Sequence, residues 1–227
     1  MSLNISKFSF SSPSLLDALP EKDLEIFRHE LKLKRIRKGK LLFAEGSSPK
    51  GVYVIKRGKV KIFQETPNGN EQIVYIYSAG EMFGYRPLLC HDHHPASAMT
   101  MEECSLYFLA SRHFEDTLKH SATLSNLLLE NLSHEFTVLV NRIAAFAQKS
   151  VKERTALSLL ILAEKYRKDG GQASEISLSR KDLASFVGTT HETIARIITQ
   201  FKNDKIIKIL GRKIVITKAE SLHRLAE

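Results

Sequence analysis

The stretch Ser179–Phe201, SRKDLASFVGTTHETIARIITQF, constrains this chain more than any other. It reads as two short helices joined by a tight glycine turn. Leu183, Phe186 and Val187 recur at helical spacing, and Ala184 is small enough for a second helix to cross closely. Gly188 stops the first helix, because glycine takes positive φ without a Cβ clash. The second helix opens at Thr189 or Thr190 and buries Ile194, Ile197, Ile198 and Phe201, an i, i+3, i+4, i+7 stripe. His191, Glu192, Arg196 and Thr199 lie opposite, a polar face suited to base edges in a DNA major groove. A helical hairpin with a merely solvated polar face is the competing reading. Thr189-x-x-Glu192 also fits a capping box, in which Glu192 serves backbone amides. The following residues favour the helix-turn-helix. Ile206–Ile216, IIKILGRKIVI, is two β-branched runs about a Gly211–Arg212 turn, a hairpin of the winged-helix kind.

Charge follows the motif. The chain carries a formal +9, and residues 148–227 hold 16 Lys/Arg against 9 Asp/Glu while residues 1–147 hold 18 against 16. Basic charge therefore gathers where phosphates are the expected partner. Ser179, Arg180, Thr189, Thr190, His191, Glu192, Arg196, Lys202 and Arg212 are the expected DNA contacts. At 227 residues, 43% of them apolar, the chain can bury one large core or two modest ones. Its apolar runs fall short of the roughly 20 residues a membrane span needs, so no membrane partner is expected. Cys90 and Cys104 are too few for a disulfide framework, and a cytoplasmic location is expected.

Three zones precede the motif. Leu15–Leu33 looks helical, with Pro20 and Glu21 near a helix start. Arg35 to about Leu109 turns to short strands with glycine punctuation, and Pro67–Asn70 reads as a hairpin tip between Lys59–Thr66 and Gln72–Tyr77. Such a series suggests an antiparallel sandwich or barrel. Arg112–Ala147 then reads as one long helix, followed by a shorter helix over Lys152–Tyr166 and an Asp169-Gly170-Gly171 loop. In the long helix Ala122, Ser125, Leu129, Leu132, Phe136, Leu139, Ile143 and Phe146 recur at alternating steps of three and four, a heptad seam that predicts pairing with a second copy. Packing on its own domain is the rival, since Leu127 and Leu128 supply a second apolar edge. The expected dimer contacts are Leu129, Leu132, Phe136, Leu139, Ile143 and Phe146.

A glycine-punctuated β-roll, a long dimer helix and a winged helix-turn-helix together resemble the CRP/FNR family of bacterial transcription regulators. The resemblance covers nearly the whole chain and rests on KGKLLFAEG, VYVIKRGKVKIF, GEMFG with PASAMTMEECSLYFL, and HETIARII. It implies an α+β chain in three parts. These are an N-terminal antiparallel β-roll (a double-stranded β-helix) over 1–111, a dimerisation helix over 112–147 and a C-terminal winged helix-turn-helix over 148–227. It further implies a homodimer on palindromic double-stranded DNA, with RNA polymerase as a partner. The family's Glu and Arg one helical turn apart are matched by Glu192 and Arg196, which implies a TGA-like half-site: Arg suits a guanine edge and Glu a cytosine amino group.

The effector site departs from the cyclic-AMP-binding members. Their pocket places a Glu after the second glycine of a GxxxG-like stretch and an Arg followed by a small hydroxyl residue. Here Tyr85 follows Gly84, and Pro95-Ala96 stand at the other place. Proline has no N–H to give a phosphate. Where those members carry Thr-Ser toward the adenine, an ungapped count gives Leu139-Val140. These departures argue against ordinary cyclic AMP binding. Gly84, Tyr85, Arg86, Ser97, Leu139 and Val140 are the expected pocket residues, with Arg86 or His94 as alternative charges. The cysteine cluster of the iron–sulfur members is missing, so no such cluster is expected, and the cofactor is unknown. His91, His93 and His94 are weak metal or haem candidates against a plain polar loop, and an apolar or aromatic small-molecule effector is an equal alternative. Two rival functions compete with this reading. One is a hydrolytic metal site on HDHH with Glu81 or Glu102 as base, which lacks paired ligand spacing. The other is a nucleotide, haem or metal sensing module acting through protein partners, which leaves the winged domain unexplained.

Overall fold

The computed structural model describes residues 3–10, 14–168 and 175–227. The described residues of 11–133 pack as one unit, and those of 1–10 with 134–227 as another. The expected Asp169-Gly170-Gly171 loop lies outside the described residues.

The first unit opens with α1 (Leu15–Ala18) and α2 (Glu21–Glu30), split at Leu19-Pro20, where the chain turns extended. The helical reading of Leu15–Leu33 keeps its start at Leu15 and the second start at Pro20-Glu21, but it is split in the middle and ends early, because Leu33 already belongs to a strand. Strands follow at Lys32–Ile36 (β1), Leu41–Phe43 (β2), Gly51–Arg57 (β3), Val60–Glu65 (β4), Glu71–Tyr77 (β5) and Met82–Phe83 (β6). A short helix α3 (Arg86–Cys90), not foreseen in the sequence, precedes β7 (Ser97–Thr100) and β8 (Cys104–Ala110). Among the described residues of this unit, two four-stranded antiparallel sheets form, in the orders β1-β8-β3-β6 and β2-β7-β4-β5.

β3 is buried on both faces, and its alternation sorts two cores. Ile55 packs with Val60, Tyr77, Phe83, Ala98 and Leu106, drawn from both sheets. Val52 and Val54 point the other way, toward Phe27 of α2 and Phe114 of α4 (Ser111–His120). This period-2 switch is what a strand covered by a sheet on one side and helices on the other must show. Gly58 ends β3 with φ +100, where a Cβ would come within 2.6 Å of Cys104 Sγ.

The long helix expected over Arg112–Ala147 is broken. α4 stops at His120, Ser121 is extended, and α5 runs Ala122–Gln148. The Ser121 hydroxyl accepts the Leu124 N–H at 3.0 Å and donates to the Asp23 carboxylate, so it caps the new helix. Leu124 and Leu128 of α5 are buried in the helix-side core.

In the second unit, α6 (Val151–Lys168) leads to β9 (Glu175–Ser177), α7 (Arg180–Val187), α8 (His191–Asn203), β10 (Ile207–Leu210), β11 (Lys213–Ile216) and α9 (Ala219–Ala226). β10 and β11 form the expected hairpin, and β9 joins its far edge. The fold is the mixed α/β roll, long helix and winged helix-turn-helix that the sequence implied. No helix among the described residues is long and apolar enough to cross a membrane.

Gly58→Ala combines a left-handed φ with a backbone-side clash. We expect it to lower the unfolding free energy by about 1–3 kcal/mol, measured by urea denaturation.

Candidate nucleic-acid interface and effector cavity

α7 starts at an N-cap. The Ser179 hydroxyl accepts the Asp182 N–H at 3.0 Å and donates to the Asp182 carboxylate at 2.5 Å. The helix ends at Gly188, left-handed at φ 72, whose N–H bonds Ala184 O at 2.9 Å, as does the Thr189 N–H at 3.1 Å. α8 is capped by Thr190, which accepts the Thr193 N–H at 3.3 Å. The alternative start at Thr189 is thereby resolved, and Thr189-x-x-Glu192 is not the capping pair. Glu192 keeps a local role nonetheless. Its own backbone N–H, then the Thr190 hydroxyl, hold its exposed carboxyl below the usual carboxylate range, so it is ionised at neutral pH.

Ile194, Ile197, Ile198 and Phe201 are buried, and His191, Glu192, Arg196 and Thr199 are exposed on the other side of α8. The Arg196 guanidinium has no hydrogen bond or ion pair among the described residues, which leaves its donors to solvent or a ligand. Lys202 and Arg212 are exposed as well, Thr189 is half-buried, and burial pushes the half-buried Arg180 down from the usual guanidinium range without discharging it.

Two arginines that sequence reasoning passed over hold this region. Arg154 on α6 donates to Phe146 O at 3.4 Å and Gly188 O at 3.2 Å, and its guanidinium lies over the Phe146 ring. Arg142 on α5 is buried over the Phe186 ring of α7, 4.6 Å from its centroid. Neither has a local sequence signal, since an arginine on an amphipathic helix reads as solvated until its tertiary neighbour is known.

On α5, Leu129, Phe136 and Ile143 are 62%, 68% and 61% exposed, and Leu139 and Val140 stand beside them about half exposed. Leu132 is drawn against the helix-side core, and Phe146 sits under Arg154. Seven-residue steps of large exposed side chains form an unpartnered stripe on this helix.

In the roll, Gly84, Tyr85, Arg86, Pro95 and Ala96 line a cavity of about 40 Å³ together with Phe43, Tyr77, Phe83 and His94. The aromatic rings fill most of the space, and what remains suits only a few waters. Ser97 is not among the lining residues; its hydroxyl accepts the Glu45 N–H at 2.9 Å. The HDHH histidines diverge. His91 is left-handed at the end of α3 and exposed, His93 is exposed beside Asp92, and His94 turns inward to stack on Phe43. No group of three or more metal-ligating side chains gathers among the described residues. The Glu81 carboxylate accepts from the Ser78 N–H and hydroxyl, and Glu102 pairs with Lys59.

A β-roll, a long helix and a winged helix-turn-helix with a polar, outward recognition face are the parts of a DNA-binding regulator. Residues 33–121 match the cyclic nucleotide-binding domain model and residues 153–225 the Crp-like helix-turn-helix domain model. The chain is 27% identical over 195 residues to the fumarate and nitrate reduction regulatory protein of Escherichia coli, covering 85% of this chain and 78% of that one. Its fold is also that of FixK2 from Bradyrhizobium japonicum, with TM-score 0.78, 22% identity and coverage of 87% and 98%. A CooA mutant from Carboxydothermus hydrogenoformans gives TM-score 0.75 at 18% identity, covering 98% and 99%. The chain belongs to the CRP/FNR family of transcription regulators.

Arg154→Met leaves two backbone carbonyls without their donor. It should lower the unfolding free energy by about 1–3 kcal/mol, with Arg154→Lys intermediate, as read by thermal melting.

Proposed function

We propose that the chain acts as a homodimer that reads a palindromic, TGA-containing site through Glu192 and Arg196, under control of a small molecule in the roll. The exposed, unpaired Arg196 one turn from Glu192 on a well-capped helix carries this reading. Arg can take a guanine O6/N7 edge in bidentate fashion and an ionised Glu can accept from a cytosine amino group. Ser179, Arg180, Thr189, Thr190, His191, Lys202 and Arg212 then position the motif on the sugar-phosphate backbone and flanking bases. The Ser179 and Thr190 hydroxyls would do so while capping their helices.

The second copy would cover Leu129, Phe136, Leu139, Val140 and Ile143 of α5, a stripe too apolar to be left in water. Dimerisation gives two recognition helices for two half-sites. In this reading residues 1–111 sense, 112–147 pair and 148–227 read DNA, in the cytoplasm and with RNA polymerase as the downstream partner. A cyclic nucleotide is disfavoured as the signal, because Tyr85, Pro95 and Ala96 replace the groups it requires and the cavity they line is small.

Fluorescence anisotropy with a TGA palindrome and a scrambled duplex tests the reading; equal affinity for both would overturn it. Arg196→Ala should reduce discrimination at the guanine by about 1–3 kcal/mol, whereas Lys202→Ala should weaken all sequences alike and reduce the salt slope by about 1. Phe136→Lys places charge in the stripe without touching either core. Sedimentation velocity should then show monomer, and an unchanged dimer would remove the pairing argument.

A further inference from the structure

A second chamber of about 230 Å³ adjoins the small cavity, and Phe43 and His94 belong to the walls of both. Their rings are stacked 3.7 Å apart at 7°, so the pair forms the partition. His94 is only 3% exposed, and its ring nitrogens bond no described residue. Because the ring lines both spaces, an imidazole edge that takes no described partner is open to a bound molecule. Its position is built in: the His94 N–H bonds Ser47 O at 3.0 Å, and its carbonyl accepts the Gly46 N–H at 2.8 Å. Burial also pushes the imidazole below its ordinary range, so it is neutral and offers one donor and one acceptor. On the chamber wall, the Tyr53 hydroxyl and the exposed Lys50 ammonium take no hydrogen bond or ion pair among the described residues.

Size and chemistry narrow the occupant. The chamber exceeds the roughly 150 Å³ cavity that admits benzene, yet falls below the roughly 300 Å³ at which pockets for drug-sized ligands begin. That range suits a single ring. Aromatic walls favour a flat π face, and an unpaired lysine favours an anion.

We propose that this chamber binds a single-ring aromatic acid, its ring against the Phe43–His94 wall, a ring hydroxyl bonded to His94 and its carboxylate held by Lys50. The inference rests on the reading of this unit as the effector domain and names the effector's chemical class. It places that effector in a different chamber from the one lined by Gly84, Pro95 and Ala96.

Calorimetric titration of the full chain with para-hydroxybenzoate tests it, alongside Lys50→Gln and His94→Phe. Lys50 is exposed, so its replacement does not threaten the fold, and phenylalanine keeps the stack while removing the polar edge. Saturable binding is expected, weakened about tenfold or more by either substitution, with cyclohexanecarboxylate, equally charged but not planar, also about tenfold weaker. No saturation up to about 10 mM, or equal affinity in all three proteins, would overturn the proposal. The TGA duplex assay run on the same samples separates the two readings. Sequence-specific DNA binding without aromatic binding overturns this inference alone, and aromatic binding without sequence preference overturns the regulator reading alone.

Discussion

The turn at Gly188 is the constraint on which the DNA-reading end depends. Its left-handed backbone lets two consecutive N–H groups close on Ala184 O, which terminates α7, while its own carbonyl is taken by Arg154 from α6. A helix end that is bonded from both sides has little freedom to fray, so the start of α8 inherits a fixed position. Thr190 then caps α8, and the apolar stripe from Ile194 to Phe201 sets its rotation. Arg196 needs no packing of its own, because everything that aims it lies on the opposite face or one turn away.

The roll is organised by a different economy. β3 must satisfy two cores at once, and its neighbours divide accordingly into sheet-side and helix-side residues. Where the aromatic side chains of the sheet-side layer crowd together, the space near Gly84 nearly closes, while the loop carrying Ser47 and Lys50 leaves a larger void beyond the Phe43–His94 stack. Tyr85, Pro95 and Ala96 thus line the space that the aromatic side chains nearly close.

How much of this could be read from the chain depended on the range of the interactions involved. The helix-turn-helix was legible because its signals are local: a glycine stop, a threonine cap and a stripe at helical period. The wing and the Pro67–Asn70 hairpin were legible for the same reason. The choice between Thr189 and Thr190 was not, since both offer a hydroxyl and only the geometry past Gly188 selects the second. The break at Ser121 was hidden because the heptad spacing runs almost up to it and its partner Asp23 lies far away in sequence. The heptads themselves overreached: Leu132 and Phe146 fit the spacing, but a core and an arginine claim them first. Arg142, Arg154 and the Phe43–His94 stack carry no local mark at all.

Ser121 has a consequence for the phase of α5. One hydroxyl both starts the helix, through Leu124, and ties that start to α2, through Asp23. Each residue of a helix advances it by about 100°, so beginning one residue earlier or later would swing Leu124 and Leu128 out of the core they fill and Leu129 off its exposed bearing. The cap therefore acts as an index mark, setting Leu124 and Leu128 into the helix-side core and Leu129 away from it.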